Sequence, residues 1–222
     1  MADKLKAIIT GVTGMVGEGV MHQCLLSNEV TEVLVINRKP CGVVHPKLKE
    51  IIHADFFDLS TIESQLTGHN ACFFCLGISS VGVDADTYYR MTYTLTLHVA
   101  ETLSRLDPDM VFCYISGANT DSTEQGRTRW ARVKGKTEND LTKLPFKQVY
   151  NFRPGALIAG PDAKNTPKLY KYFSWLAPVI KLLLPNGICT LVELGDAMIY
   201  AAAHGYSNTI IEVKDIHTIA KG

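Results

Sequence analysis

The stretch LKAIITGVTGMVGEGV, residues 5–20, decides the fold, because an apolar run passes through three glycines into a helical pattern. The run LKAIIT (5–10) predicts a β-strand, and the segment from Met15 to Leu26 predicts an α-helix. Gly11, Gly14 and Gly17 lie in the turn between them with GxxGxxG spacing. A strand, a glycine turn and a helix in this order are typical of a dinucleotide-binding unit.

Each glycine has a physical reason in such a unit. The first permits the tight turn, the second lets a pyrophosphate approach the backbone, and the third lets the helix pack closely on the sheet. The phosphates then lie at the helix N-terminus, where free N–H groups and the helix dipole favour an anion. The predicted contacts in this turn are Gly11, Thr13, Gly14, Met15, Val16 and Gly17. The alternative is a turn with a purely structural role.

The end of the second predicted strand, EVLVINRKP, bears on the choice of cofactor. A carboxylate at this position accepts hydrogen bonds from the ribose 2′-OH of NAD and repels a 2′-phosphate. This sequence has Asn37, Arg38 and Lys39 there, two cations and no carboxylate. The pattern favours NADP(H) over NAD(H). The alternative is that Arg38 and Lys39 are solvated surface charges.

The rest of the chain repeats the strand-then-helix order. Further strands are predicted at 32–37, 48–53, 71–77, 110–116, 147–152 and 209–213, and further helices at Ala85 to Leu106, Arg129 to Leu144 and Glu193 to His204. Continuous apolar strands alternating with helices predict an α/β Rossmann fold, a doubly wound, mostly parallel sheet with helices on both faces. We expect one domain over 1–222, with a small substrate-side insertion at 156–192.

Composition excludes several other classes of protein. The chain has 22 Lys plus Arg and 22 Asp plus Glu, so no basic excess indicates nucleic acid. No segment is long and apolar enough to span a membrane, no signal peptide is evident, and six cysteines fit a reduced, cytoplasmic protein. Cys72 and Cys75 form a CxxC motif, but in a strand an offset of three places them on opposite faces. The seven histidines have no metal-ligand spacing, so no metal site is expected.

Seven segments in order resemble the short-chain dehydrogenase/reductase superfamily, and more closely its atypical branch of Tat-interacting oxidoreductase-like proteins. These segments are GVTGMVGEGV, NRKP, ADFFDL, GHNACFFCLGISS, RVKGKTENDL, NFRPGALI and IHTIAKG. The resemblance implies that Asp55 and Phe56 contact the adenine, and that Leu76 and Gly77 lie against the adenine and its ribose. It also implies that Pro154 and Gly155 lie beside the nicotinamide carboxamide.

The superfamily's chemistry uses a Ser, a Tyr and a Lys, the last two at YxxxK spacing on one helical face. By resemblance, Ser116 matches the serine and Lys134 the lysine, which also contacts the cofactor ribose. Trp130 stands where the tyrosine is expected. Indole has one N–H donor and no group that titrates near neutral pH, so it cannot do the acid–base work of a phenol.

Three interpretations follow from Trp130. In the first, another acid or water acts near Ser116, with Tyr88, Tyr89, Tyr93 and Tyr114 as candidates. In the second, the chain is a catalytically weak NADP(H)-binding regulator or scaffold. In the third, a flavin or quinone is reduced and takes its proton from solvent. The leading expectation is an oxidoreductase acting on an unidentified small molecule.

The apolar segment at 166–187 leaves its own alternatives open. It contains Tyr170, Tyr172, Phe173 and Trp175. Packing within its own domain, a substrate pocket, a homo-oligomer surface and contact with a membrane surface all fit, the last being the least favoured.

Overall fold

A seven-stranded parallel sheet organises the protein. The computed structural model describes residues 4–159, 165 and 186–221. The sheet order is β3-β2-β1-β4-β5-β6-β9, and every neighbouring pair is parallel. Its strands are β1 (Leu5–Thr10), β2 (Val30–Asn37), β3 (Leu48–Ile52), β4 (Ala71–Phe74), β5 (Val111–Ile115), β6 (Gln148–Arg153) and β9 (Ile210–Glu212). This confirms the predicted Rossmann class. The strand order reverses between β1 and β4, where α/β proteins bind ligands.

Helices cover both faces of this sheet. They are α1 (Met15–Leu26), α2 (Glu63–Leu66), α3 (Ala85–Tyr89), α4 (Leu95–Leu106), α5 (Arg129–Leu141), α6 (Leu191–His204) and α7 (Val213–Ile219). Alternate strand residues enter two separate cores: Ile9 packs with α1, α6 and α7, whereas Ile8 packs with α2 and α4. Strands covered on both faces need apolar residues at consecutive positions, which explains the continuous apolar runs.

The predicted helix from Ala85 to Leu106 contains a π-helical segment, Arg90–Thr94, between α3 and α4. The apolar stripe through Leu95, Val99 and Leu103 is buried as expected. The periodicity could not reveal the π turn, because one extra residue shifts the stripe without breaking it. The predicted helix from Arg129 to Leu144 ends at Leu141, where the chain turns towards β6.

Cys72 and Cys75 lie on opposite sides of the sheet, as predicted. Cys72 belongs to the core under α4, and Cys75 packs against the core under α1. Both thiols are free, and burial raises the pKa of each. Within the described ranges, no group of three or more His, Cys, Asp and Glu side chains is arranged to hold a metal ion.

Most of the predicted insertion at 156–192, including Tyr170, Tyr172, Phe173 and Trp175, lies outside the described residues. Its two ends form a second, two-stranded parallel sheet of β7 (Ala156–Ile158) and β8 (Ile188–Thr190). Among the helices of the described ranges, none has the length and apolar character that crossing a membrane requires.

Candidate functional site

The glycine turn lies at the strand-order reversal and is shaped by close backbone contacts. Gly11 has φ +75°, and a Cβ there would lie 2.7 Å from the carbonyl oxygen of Cys75. A Cβ on Gly17 would lie 2.3 Å from the carbonyl oxygen of Gly11. Real Cβ atoms do not come this close, so both positions require glycine for the fold itself.

The N-terminus of α1 opens at this turn. Gly14 is the N-cap residue, its N–H donates to Gly11 O at 3.0 Å, and no side chain among the described residues caps the helix. Thr13 and Gly14 are exposed. An uncapped helix N-terminus beside an exposed hydroxyl fits an anionic group such as a pyrophosphate.

Two cations lie beside this helix end. Thr13, Arg38 and Lys39 line a cavity of about 330 Å³. Both cations are exposed, and neither has a hydrogen-bond or ion-pair partner in the described part of the chain. Their positive charge is therefore available to a ligand.

Asn37, at the end of β2, is turned into the chain's own structure. It is only 3% exposed, and its Nδ2 donates to Glu50 Oε1 at 2.7 Å. The sequence indicated no carboxylate in this region, whereas the structure brings one in from β3. A contact across two strands cannot be read from the residues that follow β2 alone.

An apolar cavity of about 260 Å³ continues from Arg38 along the carboxyl ends of β3 and β4. Its lining includes Asp55, Phe56, Leu76 and Gly77, all predicted from the resemblance, together with Arg38, Ala54, Phe57, Ile78, Met91 and Leu95. Asp55 Oδ1 accepts a hydrogen bond from the N–H of Phe57 at 2.9 Å, which fixes the turn after β3. No atom lies within 4 Å of a Cβ built on Gly77, so this glycine faces open space. The cavity fits a flat, largely apolar ring system.

A third cavity, of about 680 Å³, lies at the ends of β5 and β6. The predicted residues Val16, Ser116, Pro154 and Gly155 line it. Its wall also includes Asn119, which has φ +65°. No pattern in the sequence indicated Asn119 beyond its position in the loop after Ser116.

The hydroxyl of Ser116 has a defined partner. Ser116 is 6% exposed, and its Oγ lies 2.9 Å from Thr120 Oγ1. Thr120 Oγ1 donates its only proton to Gly117 O at 2.8 Å. Because a hydroxyl has one proton, Ser116 must then donate to Thr120, which leaves the lone pairs of Ser116 for another partner. Thr120 was not predicted, since a threonine in a polar loop carries no distinct signal.

Lys134 reaches the end of β5 from α5. Its Nζ donates to Ile115 O at 3.2 Å and to Ser116 O at 3.1 Å, and lies 5.3 Å from the centroid of the Tyr114 ring. Burial lowers the pKa of Lys134 to about 8, and the Glu138 carboxylate partly opposes this shift. An ammonium has three N–H donors, so one is left for a ligand.

The four candidate tyrosines lie outside the described lining of the cavity beside Ser116. Tyr93 donates to Asp140 Oδ2 at 2.8 Å, and burial together with this bond raises its pKa to about 12. Tyr114 is a core residue whose pKa burial raises strongly, Tyr88 is buried, and Tyr89 packs on Tyr93. The described lining of the cavity beside Ser116 contains no tyrosine.

Trp130 lies beside the same loop. Its indole carbon Cζ3 lies 3.9 Å from the position of a Cβ built on Gly117, next to Ser116. The indole, which has no acid–base group, therefore lies beside the residue that follows Ser116.

A buried ion pair fixes α5 against β6. Arg153 donates through Nε to Glu138 Oε1 at 3.0 Å, and its Nη2 contacts both Glu138 Oε2 and Ser122 Oγ. Glu138 is 2% exposed. Breaking a buried pair of this kind costs about 3–5 kcal/mol, so the pair holds the helix that carries Lys134 in one position.

Comparison with known proteins assigns the family. Residues 7–137 match the NAD dependent epimerase/dehydratase family. This chain belongs to that family, and the match includes the glycine turn, both cations, Ser116 and Lys134.

Two curated relatives support the closer resemblance. "Protein HTATIP2" of Rattus norvegicus is 26% identical over 152 residues, which is 68% of this chain and 62% of the rat protein. The match thus spans less than two thirds of the rat protein's length. "Protein fmp52, mitochondrial" of Emericella nidulans is 26% identical over 165 residues, 72% of this chain and 69% of that protein. The first match confirms the predicted resemblance to Tat-interacting proteins.

A solved structure shows the same fold at low identity. The Bordetella bronchiseptica enzyme WbmG in complex with NAD has a TM-score of 0.69 and 12% identity, covering 98% of this chain and 78% of that one. This likeness concerns the fold alone.

Proposed function

We propose that this protein binds NADP(H) along the carboxyl edge of its sheet and is an oxidoreductase acting on a small molecule. One observation carries the choice of NADP(H): Arg38 and Lys39, without partners among the described residues, line a cavity with Thr13 beside the glycine turn. A 2′-phosphate would satisfy both cations through charge-assisted hydrogen bonds.

The glycine turn and the three cavities would bind different parts of the cofactor. The glycine turn takes the pyrophosphate, and the cavity beside Arg38 and Lys39 takes the 2′-phosphate. The apolar cavity takes the adenine, and the cavity beside Ser116 takes the nicotinamide end. The assigned residues are Gly11, Thr13, Gly14, Met15, Val16 and Gly17; Arg38 and Lys39; Asp55, Phe56, Leu76 and Gly77; and Lys134, Pro154 and Gly155. Asn37, which was also predicted to contact the cofactor, is buried and instead holds the loop that carries the two cations through its bond to Glu50. When bound, the cofactor supplies a donor or acceptor of hydride.

Ser116 would bind the reacting oxygen of the substrate, and Lys134 would bind the cofactor. The lone pairs of Ser116 accept a hydrogen bond from a substrate hydroxyl, and Lys134 has one N–H left for the cofactor ribose. We propose that the proton comes from water or is taken up from solvent after reduction of a quinone or flavin, since the described lining of the cavity beside Ser116 offers a serine and no tyrosine.

We propose that the chain is one domain and that its segment 156–192 covers the substrate side. Ala156, Leu157, Asn186 and Gly187, at the two ends of this segment, line the cavity that contains Ser116. The two ends meet at this cavity, where the Ala156 N–H donates to Gly187 O at 2.9 Å.

A second candidate function is a catalytically weak NADP(H)-binding regulator or scaffold that acts through an unknown protein partner. Trp130 favours it, because the family's proton-transferring phenol is replaced by an indole beside Ser116. A homo-oligomer is compatible with either function.

Cofactor oxidation separates the two functions. NADPH binding is measured by fluorescence titration, and loss of NADPH absorbance is then followed with a panel of quinones, flavins and carbonyl compounds. Turnover that Lys134→Ala abolishes would support the oxidoreductase. Binding without turnover, with activity appearing in Trp130→Tyr, would support the regulator. Absence of NADPH binding would refute both.

A cytoplasmic location is also part of the proposal. Cys24, Cys41, Cys72, Cys75 and Cys113 are free thiols in the described structure, which agrees with a reducing compartment. The name of the Emericella nidulans relative places that protein in mitochondria, so imaging of a tagged chain against a mitochondrial marker decides between the two.

A further inference from the structure

A carboxylate from a neighbouring strand closes the loop that carries the two cations. Glu50 lies in β3, and its Oε1 accepts hydrogen bonds from Asn37 Nδ2 at 2.7 Å and from the Cys41 N–H at 2.8 Å. Asn37 ends β2, and Cys41 follows four residues later. One oxygen therefore holds both ends of the loop 37–41.

The carboxylate does not neutralise the cations that this loop presents. Glu50 forms no ion pair with Arg38 or Lys39, and it is not among the residues that line either of their cavities. One of its bonds holds the Asn37 side chain and the other holds the Cys41 backbone, while Arg38 and Lys39 line the ligand cavities.

We propose that Glu50 is a positioning residue that sets the preference for the phosphorylated cofactor. A loop closed in advance loses less conformational entropy when Arg38 and Lys39 take hold of a phosphate, so more of their attraction appears as affinity. NADH has no 2′-phosphate and gains little from the ordered loop. This inference rests on the proposed NADP(H) binding.

Two substitutions at Glu50 separate the hydrogen bonds from the charge. Glu50→Ala removes both bonds, whereas Glu50→Gln keeps a carbonyl oxygen that accepts both and removes only the charge. Dissociation constants for NADPH and NADH are measured by fluorescence titration. We expect Glu50→Ala to weaken NADPH binding about fivefold to tenfold and NADH binding less than about twofold, with Glu50→Gln within about twofold of wild type.

Glu32→Ala is the matched control. Glu32 lies in β2 and forms a cross-strand ion pair with Lys49 of β3 at 2.9 Å, but it has no bond to the loop. Neither dissociation constant should change in this variant. If both Glu50 variants bound NADPH more tightly, the carboxylate would act by repulsion and the proposal would be overturned. An equal loss for NADPH and NADH would overturn it as well.

Hydrogen exchange in the free protein tests, without any cofactor, whether the two bonds to Glu50 hold the loop 37–41 closed; we call this pair of bonds the clamp. We expect amides in the loop 37–41, the Cys41 N–H above all, to exchange faster in Glu50→Ala than in wild type or Glu50→Gln. Unchanged exchange would overturn the clamp whatever the protein binds. Faster exchange in a protein that binds no dinucleotide would instead refute the NADP(H) proposal, and the specificity role of Glu50 with it.

Discussion

The two ends of the sheet's carboxyl edge differ in how much of their polar chemistry the chain already uses. Beside β1 and β2, Arg38 and Lys39 have no partner in the described structure. Beside β5 and β6, Lys134 donates to two backbone carbonyls and Ser116 is bonded to Thr120. An exposed charge is hydrated, so leaving it without a protein partner costs little free energy. A buried polar group is not hydrated and needs a hydrogen-bond partner even when no ligand is bound. At the first end, the side chains of Arg38 and Lys39 therefore gain bonds when a ligand binds. At the second end, the side chains of Lys134 and Ser116 are bonded before a ligand binds.

The largest expected effect concerns the turn between these two ends. Gly17→Ala places a Cβ against the backbone of Gly11, so we expect the free energy of unfolding to fall by about 3 kcal/mol in urea titrations. Gly77→Ala is the control, because its Cβ meets open space. It should keep wild-type stability and weaken NADPH binding by filling the apolar cavity. A stable Gly17→Ala protein would show that the turn can relax.

Arg38→Ala tests the open end. Loss of a charge-assisted bond worth about 1.5–3 kcal/mol should weaken NADPH binding roughly 10-fold to 150-fold, with NADH binding nearly unchanged. Calorimetric titration measures both. The control is Arg105→Ala, which removes an exposed arginine that pairs with Glu63 in a different region. Equal losses for the two cofactors would mean that Arg38 does not contact a 2′-phosphate.

The pH dependence of stability tests the pre-ordered end. The pKa of Lys134 is lowered from 10.5 to about 8 in the folded protein, so between these values the unfolded chain binds the extra proton. The contribution of Lys134 to stability therefore rises as the pH increases from about 8 to 10.5, and its full desolvation cost applies below pH 8. Lys134→Met removes this dependence.

The measurement is the difference in unfolding free energy between wild type and Lys134→Met across this range. The cysteines and tyrosines of the unfolded chain lose their protons in the same window, and the difference cancels their effect. A difference that does not vary with pH would place the lysine in a solvated environment.

The smallest effect is expected at Thr120. Thr120→Val removes the hydroxyl that accepts from Ser116, and we expect a loss of about 1 kcal/mol in unfolding free energy. Thr120→Ser keeps the hydroxyl and should restore most of it. If the serine variant were as unstable as the valine variant, the methyl group rather than the hydroxyl chain would hold this loop.

Local patterns predicted the parts of the fold that depend on local structure. The bounds of β1 and α1 agree with the structure residue for residue, because an apolar strand and a glycine turn are both encoded by neighbours. The short strands β7 and β8 were not predicted, because their pairing joins the two distant ends of the segment 156–192.

In the candidate site, too, the residues that depend on local patterns could be predicted and those that depend on distant contacts could not. Arg38, Ser116 and Lys134 follow recognisable strands or helical spacing, and the structure places each at a cavity or beside one. Glu50 and Thr120 could not be predicted, because their importance depends on contacts with a particular atom across the fold. Whether a polar side chain is free or already bonded is a tertiary property.

The ion pair between Arg153 and Glu138 separates the scaffold of this site from its reactivity. The pair holds α5 through Glu138, one turn beyond Lys134 and two turns beyond residue 130. A chain that exchanged a tyrosine for Trp130 could do so without losing its helix. The reverse exchange should be tolerated for the same reason. The single substitution Trp130→Tyr therefore allows the protein to be compared directly with a form that carries the family's tyrosine.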